Sequence, residues 1–121
     1  MGMYEVAVKS SFSAAHQLIG HEGACADLHG HNWTVEAMFA APQLDEIQMV
    51  VDFYHVKKAM ETLIGKLDHK ILNEVPPFDE ANPTAEKLAE YFYTELKKSL
   101  PVPPSLVKVF ETDHTWASYR E

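Results

Sequence analysis

Nine residues, Cys25-Ala26-Asp27-Leu28-His29-Gly30-His31-Asn32-Trp33, constrain this chain more than any other stretch. On an extended backbone alternate side chains share a face, so His29 and His31 present two imidazoles to the same side. A third comes from His16, which closes the alternating segment Phe12-Ser13-Ala14-Ala15-His16. Three neutral imidazoles with no fourth protein ligand are the donor set of a catalytic zinc, whose open position is left for water or substrate. A structural zinc takes four ligands, usually with more thiolates. The single cysteine, Cys25, stands four residues before His29. It either completes a closed site or stands beside an open one as a reactive thiolate.

The rest of the chain reads as the frame for that stretch. From Met3 to Ser13 the residues alternate, with Tyr4, Val6 and Val8 against Glu5, Ala7 and Lys9, the pattern of a half-buried strand. Gly20 to Asp27 is loop. A second strand runs from His31 to Ala40, with Trp33, Val35, Ala37 and Phe39 on the face of His31. Asp52 is a good helix N-cap, and Phe53, Val56, Met60, Leu63, Ile64 and Leu67 recur at helical spacing, so a helix is predicted from about Asp52 to Leu67. It ends at Asp68-His69-Lys70. Asn73 to Asn82 is loop, and a second helix begins at Asn82-Pro83, its stripe formed by Ala85, Leu88, Ala89, Phe92 and Leu96. Leu106 to Thr112 is a third strand, which puts Glu111 on the side of Val107 and Val109, and a short fourth covers Trp116 to Arg120.

The order β-β-α-α-β-β describes one α+β domain over residues 1–121, with two helices on one face of a four-stranded sheet. The other face and both sheet edges then need cover, since open edges invite pairing. Joining the sheets of several copies into a closed barrel supplies it. Composition narrows the partners. A net charge of -8 argues against nucleic acid or an anionic membrane. No apolar run is long enough to span a bilayer. The N-terminus lacks the basic and apolar regions of a signal peptide, and a lone cysteine suits a reducing compartment, which points to the cytosol.

Six pieces in order, Phe-Ser-Ala-Ala-His ending at His16, Cys-x3-His-Gly-His at 25–31, Val51-Asp52-Phe53, Leu67-Asp68-His69-Lys70, Asn82-Pro83-Thr84-Ala85-Glu86 and Phe110-Glu111-Thr112, carry a resemblance over nearly the whole chain. The chain resembles the 6-pyruvoyltetrahydropterin synthase and 6-carboxytetrahydropterin synthase group, with its tunnelling fold. The resemblance implies trimers stacked into a homohexamer around a tunnel, active sites at subunit boundaries, and 7,8-dihydroneopterin triphosphate as substrate. It implies Zn2+ held by His16, His29 and His31. By position, Cys25, Asp68 and His69 match the catalytic group, Glu111 the pterin anchor and Thr84 a lesser pterin contact.

Three residues separate Cys25 from His29. Within the group that spacing is similar to the carboxytetrahydropterin synthases of queuosine biosynthesis, whereas the pyruvoyl synthases usually have five. Ala24 departs from the Lys or Arg often found there in the queuosine-type members. The activity so implied is that of a zinc-dependent lyase releasing triphosphate and acetaldehyde and leaving a carboxylate at C6. The alternatives are a pyruvoyl synthase and a pterin-binding zinc oligomer without turnover.

Several residues also have plainer readings. Without the resemblance, Asp68-His69 reads first as a polar helix end, with His favoured by the helix dipole. Glu111 reads as a solvated edge charge, though a carboxylate can accept a pterin's 2-amino and ring N–H together. Thr84 can simply cap its helix. His21, His55 and His114 read as surface residues without a role. A triphosphate needs cations, yet the chain has ten Lys and Arg against eighteen acids, and Lys70 and Arg120 are the candidates.

Overall fold

In β1 (Tyr4–His16) and β2 (His29–Ala41) the expected alternation is realised as a long antiparallel pair in which Phe12 faces Trp33, Ala14 faces His31 and His16 faces His29. A small side chain therefore sits opposite His31, and two of the histidines are direct cross-strand neighbours. The computed structural model describes residues 2–23 and 26–121. Both strands run closer to the intervening loop than the alternation alone suggests, β1 continuing through His16 and β2 beginning at His29, so all three histidines lie on paired backbone.

Helix α1 (Phe53–Gly65) is capped by Asp52, whose carboxylate accepts the Tyr54 N–H at 2.8 Å, and it buries Val56, Met60, Leu63 and Ile64. Helix α2 (Ala85–Ser99) buries Leu88, Ala89, Phe92, Tyr93 and Leu96. It starts later than Asn82-Pro83 because the Thr84 hydroxyl accepts the Lys87 N–H and makes Thr84 the N-cap, leaving Pro83 outside. The pair β4 (Leu106–Thr112) and β5 (Thr115–Tyr119) completes the four expected strands. A two-residue strand β3 (Lys70–Ile71) adds a fifth, parallel to β1. The sheet order is β3-β1-β2-β4-β5, with the remaining pairs antiparallel. Lys70 to Ile71 is too short to carry an alternating signal, which is why the pattern of the sequence does not disclose it.

Both helices lie on the face that carries Val8, Phe12, Trp33, Val35, Ala37, Phe39, Val107 and Val109, all of them buried. Trp33 is fully enclosed, stacks on Phe12 and donates its indole N–H to Ala14 O at 3.2 Å. That hydrogen bond satisfies the one polar group such a side chain would otherwise bury unpaired. The opposite sheet face is polar along its centre: Ser11 bonds Thr34, Ser13 Oγ donates to Asn32, and Glu36 lies between Lys9 and Lys108 at 3.8 and 4.0 Å. Trp116, half exposed under the Lys108 ammonium, is its largest aromatic group. Among the described residues no helix is long and apolar enough to cross a membrane.

Candidate metal and substrate site

At the loop end of the core face, Trp33 makes edge contacts with the rings of His16 and His31, so the histidines stand on an apolar floor. His16, His29 and His31 each bring one ring nitrogen to a common point, the three lying within 4.8 Å of one another. The outer ring atoms are already committed. His16 Nδ1 is 2.7 Å from Pro83 O and His29 Nδ1 is 2.7 Å from Asp27 O. A carbonyl only accepts, so in each neutral ring Nδ1 carries the proton and Nε2 bears a lone pair.

Those two Nε2 atoms face each other at 3.0 Å. With both protons on the far sides of the rings, two lone pairs meet with no hydrogen between them, an arrangement that a shared cation relieves. His31 Nε2 is buried without a hydrogen-bond partner among the described residues. Burial holds His16 and His31 below the ordinary histidine value, and the neighbouring Glu111 carboxylate opposes that shift only partly. Both are thus neutral near pH 7, the form that ligates metal. Tautomer, convergence and the orphaned nitrogen together fit a three-imidazole metal centre with carbonyl-held rings.

Glu111 approaches from β4, its carboxylate oxygens 3.6 Å from His16 Nε2 and 3.7 Å from His31 Nε2. It also lines a cavity of about 380 Å³ with Leu18, His21, Thr84, Glu86 and Thr115. The segment 82–84 positions this cavity. Asn82 pairs its amide with both backbone groups of Ile19, accepting the N–H at 3.0 Å and donating to the carbonyl at 2.8 Å. Asn73 clamps Gln17 in the same way. Pro83 O then holds His16 and Thr84 caps α2, leaving the first-turn N–H groups of Ala85 and Glu86, both lining residues, without helical acceptors. Neither clamp is signalled by periodicity, though an Asn beside each loop boundary is a residue suited to holding backbone.

Asp68 and His69 lie at the β3 edge of β1. The Asp68 carboxylate accepts the Ser13 N–H at 2.9 Å and lies 3.0 Å from His69 Nδ1, while His69 N donates to Ser13 O at 2.6 Å. The pair is thereby fastened to the β3 edge of β1, with His69 at a φ of 59° and its side chain 82% exposed. His69 opens, with Lys70, Ser13, Gly30, Asn32 and the cluster's own His31, onto a cavity of about 480 Å³. The three-histidine cluster includes neither residue. His55 is exposed on α1 beside Asp52, and Cys25 lies outside the described residues.

The Ser13 N–H, and after it His69, hold the Asp68 carboxyl below the ordinary value of 3.8. A depressed carboxylate contributes stability that is present above the unfolded value and is lost as pH falls through the folded one. The β3 edge is therefore expected to loosen on acidification below about pH 4. Amide exchange at Ser13 should accelerate in that range in the unaltered chain, and Asp68→Asn should remove the acid-dependent step.

The fold and site define an α+β protein with a metal-capable trio of imidazoles opening beside a carboxylate-lined cavity. A family model described as 6-pyruvoyl tetrahydropterin synthase matches residues 5–121. The chain belongs to the 6-pyruvoyl tetrahydropterin synthase family, a family of enzymes. It is 34% identical to the 6-carboxy-5,6,7,8-tetrahydropterin synthase of Synechocystis, over 97% of this chain and 93% of that one. It is 35% identical to the 6-pyruvoyl tetrahydrobiopterin synthase of Drosophila melanogaster, over 93% of this chain and 76% of that one. The solved structure of Caenorhabditis elegans 6-pyruvoyl tetrahydropterin synthase superposes with a TM-score of 0.89 at 27% identity, covering 100% of this chain and 97% of that one.

Proposed function

We infer that this single-domain chain is a zinc-dependent 6-carboxy-5,6,7,8-tetrahydropterin synthase acting on 7,8-dihydroneopterin triphosphate. The observation that carries the metal is the meeting of two Nε2 lone pairs at 3.0 Å beside the orphaned His31 Nε2. The three-residue spacing between Cys25 and His29 and the name of the Synechocystis relative favour the carboxy product. In this reading the protein is a cytosolic lyase of queuosine biosynthesis, assembled as a homohexamer.

Bound zinc supplies Lewis acidity toward the oxygens of the substrate's side chain. The chain's own residues do the rest. Glu111 accepts the 2-amino and ring N–H groups of the pterin in bidentate fashion, while Thr84 and the free first-turn amides of α2 face the ring's carbonyl. Cys25, as thiolate, takes a proton from a side-chain carbon. His69 returns one, with Asp68 holding its Nδ1–H and stabilising the imidazolium. With active sites at subunit boundaries, as the family resemblance implies, Asp68 and His69 at the β3 edge of β1 serve the metal site of a neighbouring copy.

Mass spectrometry of the products tests the assignment. Zinc-loaded protein given dihydroneopterin triphosphate should release 6-carboxytetrahydropterin, acetaldehyde and triphosphate. A product retaining all three side-chain carbons would move the chain to the pyruvoyl synthases, and substrate bound but unchanged would make it a pterin-binding oligomer.

A further inference from the structure

We propose that His21 binds the phosphate end of the substrate and sets the chain's preference for a phosphorylated pterin. The assignment rests on the pterin reading above and deepens it. A substrate carrying a triphosphate approaches a protein of net charge -8, so the attraction has to be local. The cavity that Glu111 and Thr84 line contains two carboxylates, those of Glu86 and Glu111, which repel phosphate. Among its described lining residues His21 alone can carry a positive charge.

Five of the chain's ten Lys and Arg residues are placed or occupied elsewhere within the same copy. Lys87, Lys97 and Lys98 are paired with Glu90, Glu121 and Glu95 at 2.6–3.0 Å. Within one copy Lys70 opens not onto the cavity of Glu111 but onto the one lined by His69 and His31, and Lys108 lies over Trp116 near Glu36. The His21 imidazole makes no hydrogen bond or ion pair among the described residues, so its ring is free to bond a phosphate oxygen.

Its backbone is nonetheless held. Gly20 adopts a φ of 89°, which glycine takes without strain, and the turn closes with His21 N donating to Leu18 O at 3.3 Å. Leu18 adjoins Ile19, whose two backbone groups are clamped by Asn82. His21 is therefore carried by a turn tied to the same short segment that holds His16 and caps α2. It is placed as a specificity contact for the anionic tail, with Glu111 fixing the ring.

Equilibrium binding of neopterin triphosphate and of neopterin, both already oxidised and not turned over, separates tail from ring when followed by pterin fluorescence on the zinc-loaded chain. Loss of one charge-assisted contact in His21→Ala should weaken the triphosphate by about tenfold and leave neopterin within about twofold of the unaltered protein. His21→Lys should restore the preference, and bound zinc should be the same in all three proteins. Equal weakening of both ligands, no change in either, or loss of the preference in Lys70→Ala instead of His21→Ala would overturn the assignment. Failure of the unaltered chain to bind neopterin at all would bring down the pterin reading itself, and this assignment with it.

Discussion

Protein carrying alanine at His29 or His31 will retain no stoichiometric zinc and show no turnover. Each histidine supplies one of only three imidazoles that converge within 4.8 Å, and nothing else among the described residues joins that cluster. Altering groups that merely orient ligands costs roughly 10- to 100-fold in affinity, so removing a ligand should exceed that. Elemental analysis after dialysis measures the loss directly. Full zinc in both variants would show that the cluster does not hold the metal. His29→Ala also removes one of the facing lone pairs, so the metal-free variant should melt no lower than the metal-free parent.

Replacement of His69 by alanine should give the opposite pattern, with zinc retained and turnover reduced by about 10²- to 10⁴-fold, the span of a general acid or base. Cys25→Ala should behave alike; a variant that lost its zinc would instead make Cys25 a fourth ligand of a closed site. The placement of the Asp68-His69 pair outside the histidine cluster adds a stronger test. If each site draws its two halves from neighbouring copies, inactive His29→Ala and inactive His69→Ala proteins should rescue each other when unfolded and reassembled together. Random association leaves about a quarter of the sites with both halves intact, so activity should return to about that fraction. No recovery from a mixture that had demonstrably exchanged subunits would place both halves in one copy.

Periodicity disclosed most of the architecture because the long strands and helices each bury one regular face. The alternation of Trp33, Val35, Ala37 and Phe39 and the stripe of Val56, Met60, Leu63 and Ile64 appear in the structure on the faces expected. The histidine trio was legible for the same reason, since His16, His29 and His31 continue those alternations. What periodicity could not disclose were contacts made by loops and edges. The pairing of Lys70–Ile71 with β1 depends on Asp68 and His69 bonding Ser13, a tertiary arrangement without a local pattern. The side-chain clamps of Asn73 and Asn82 are likewise long-range. His21 looked like an ordinary loop residue because its surroundings come from α2, β4 and β5, far from it in sequence.

The carbonyl of Pro83 has a consequence for how this site can vary. It fixes the His16 ring, while the very next residue caps the helix whose first amides border the cavity. One peptide step thus sets the spacing between the His16 imidazole and the first-turn amides of α2, and in the proposed reading it is a ruler for the length of side chain that can bridge metal and ring contacts. Residues inserted between Asn73 and Asn82 lengthen a loop pinned at both ends and leave the ruler unchanged. One residue inserted between Pro83 and Thr84 lengthens it, and the bridge that then fits both ends is a longer substrate.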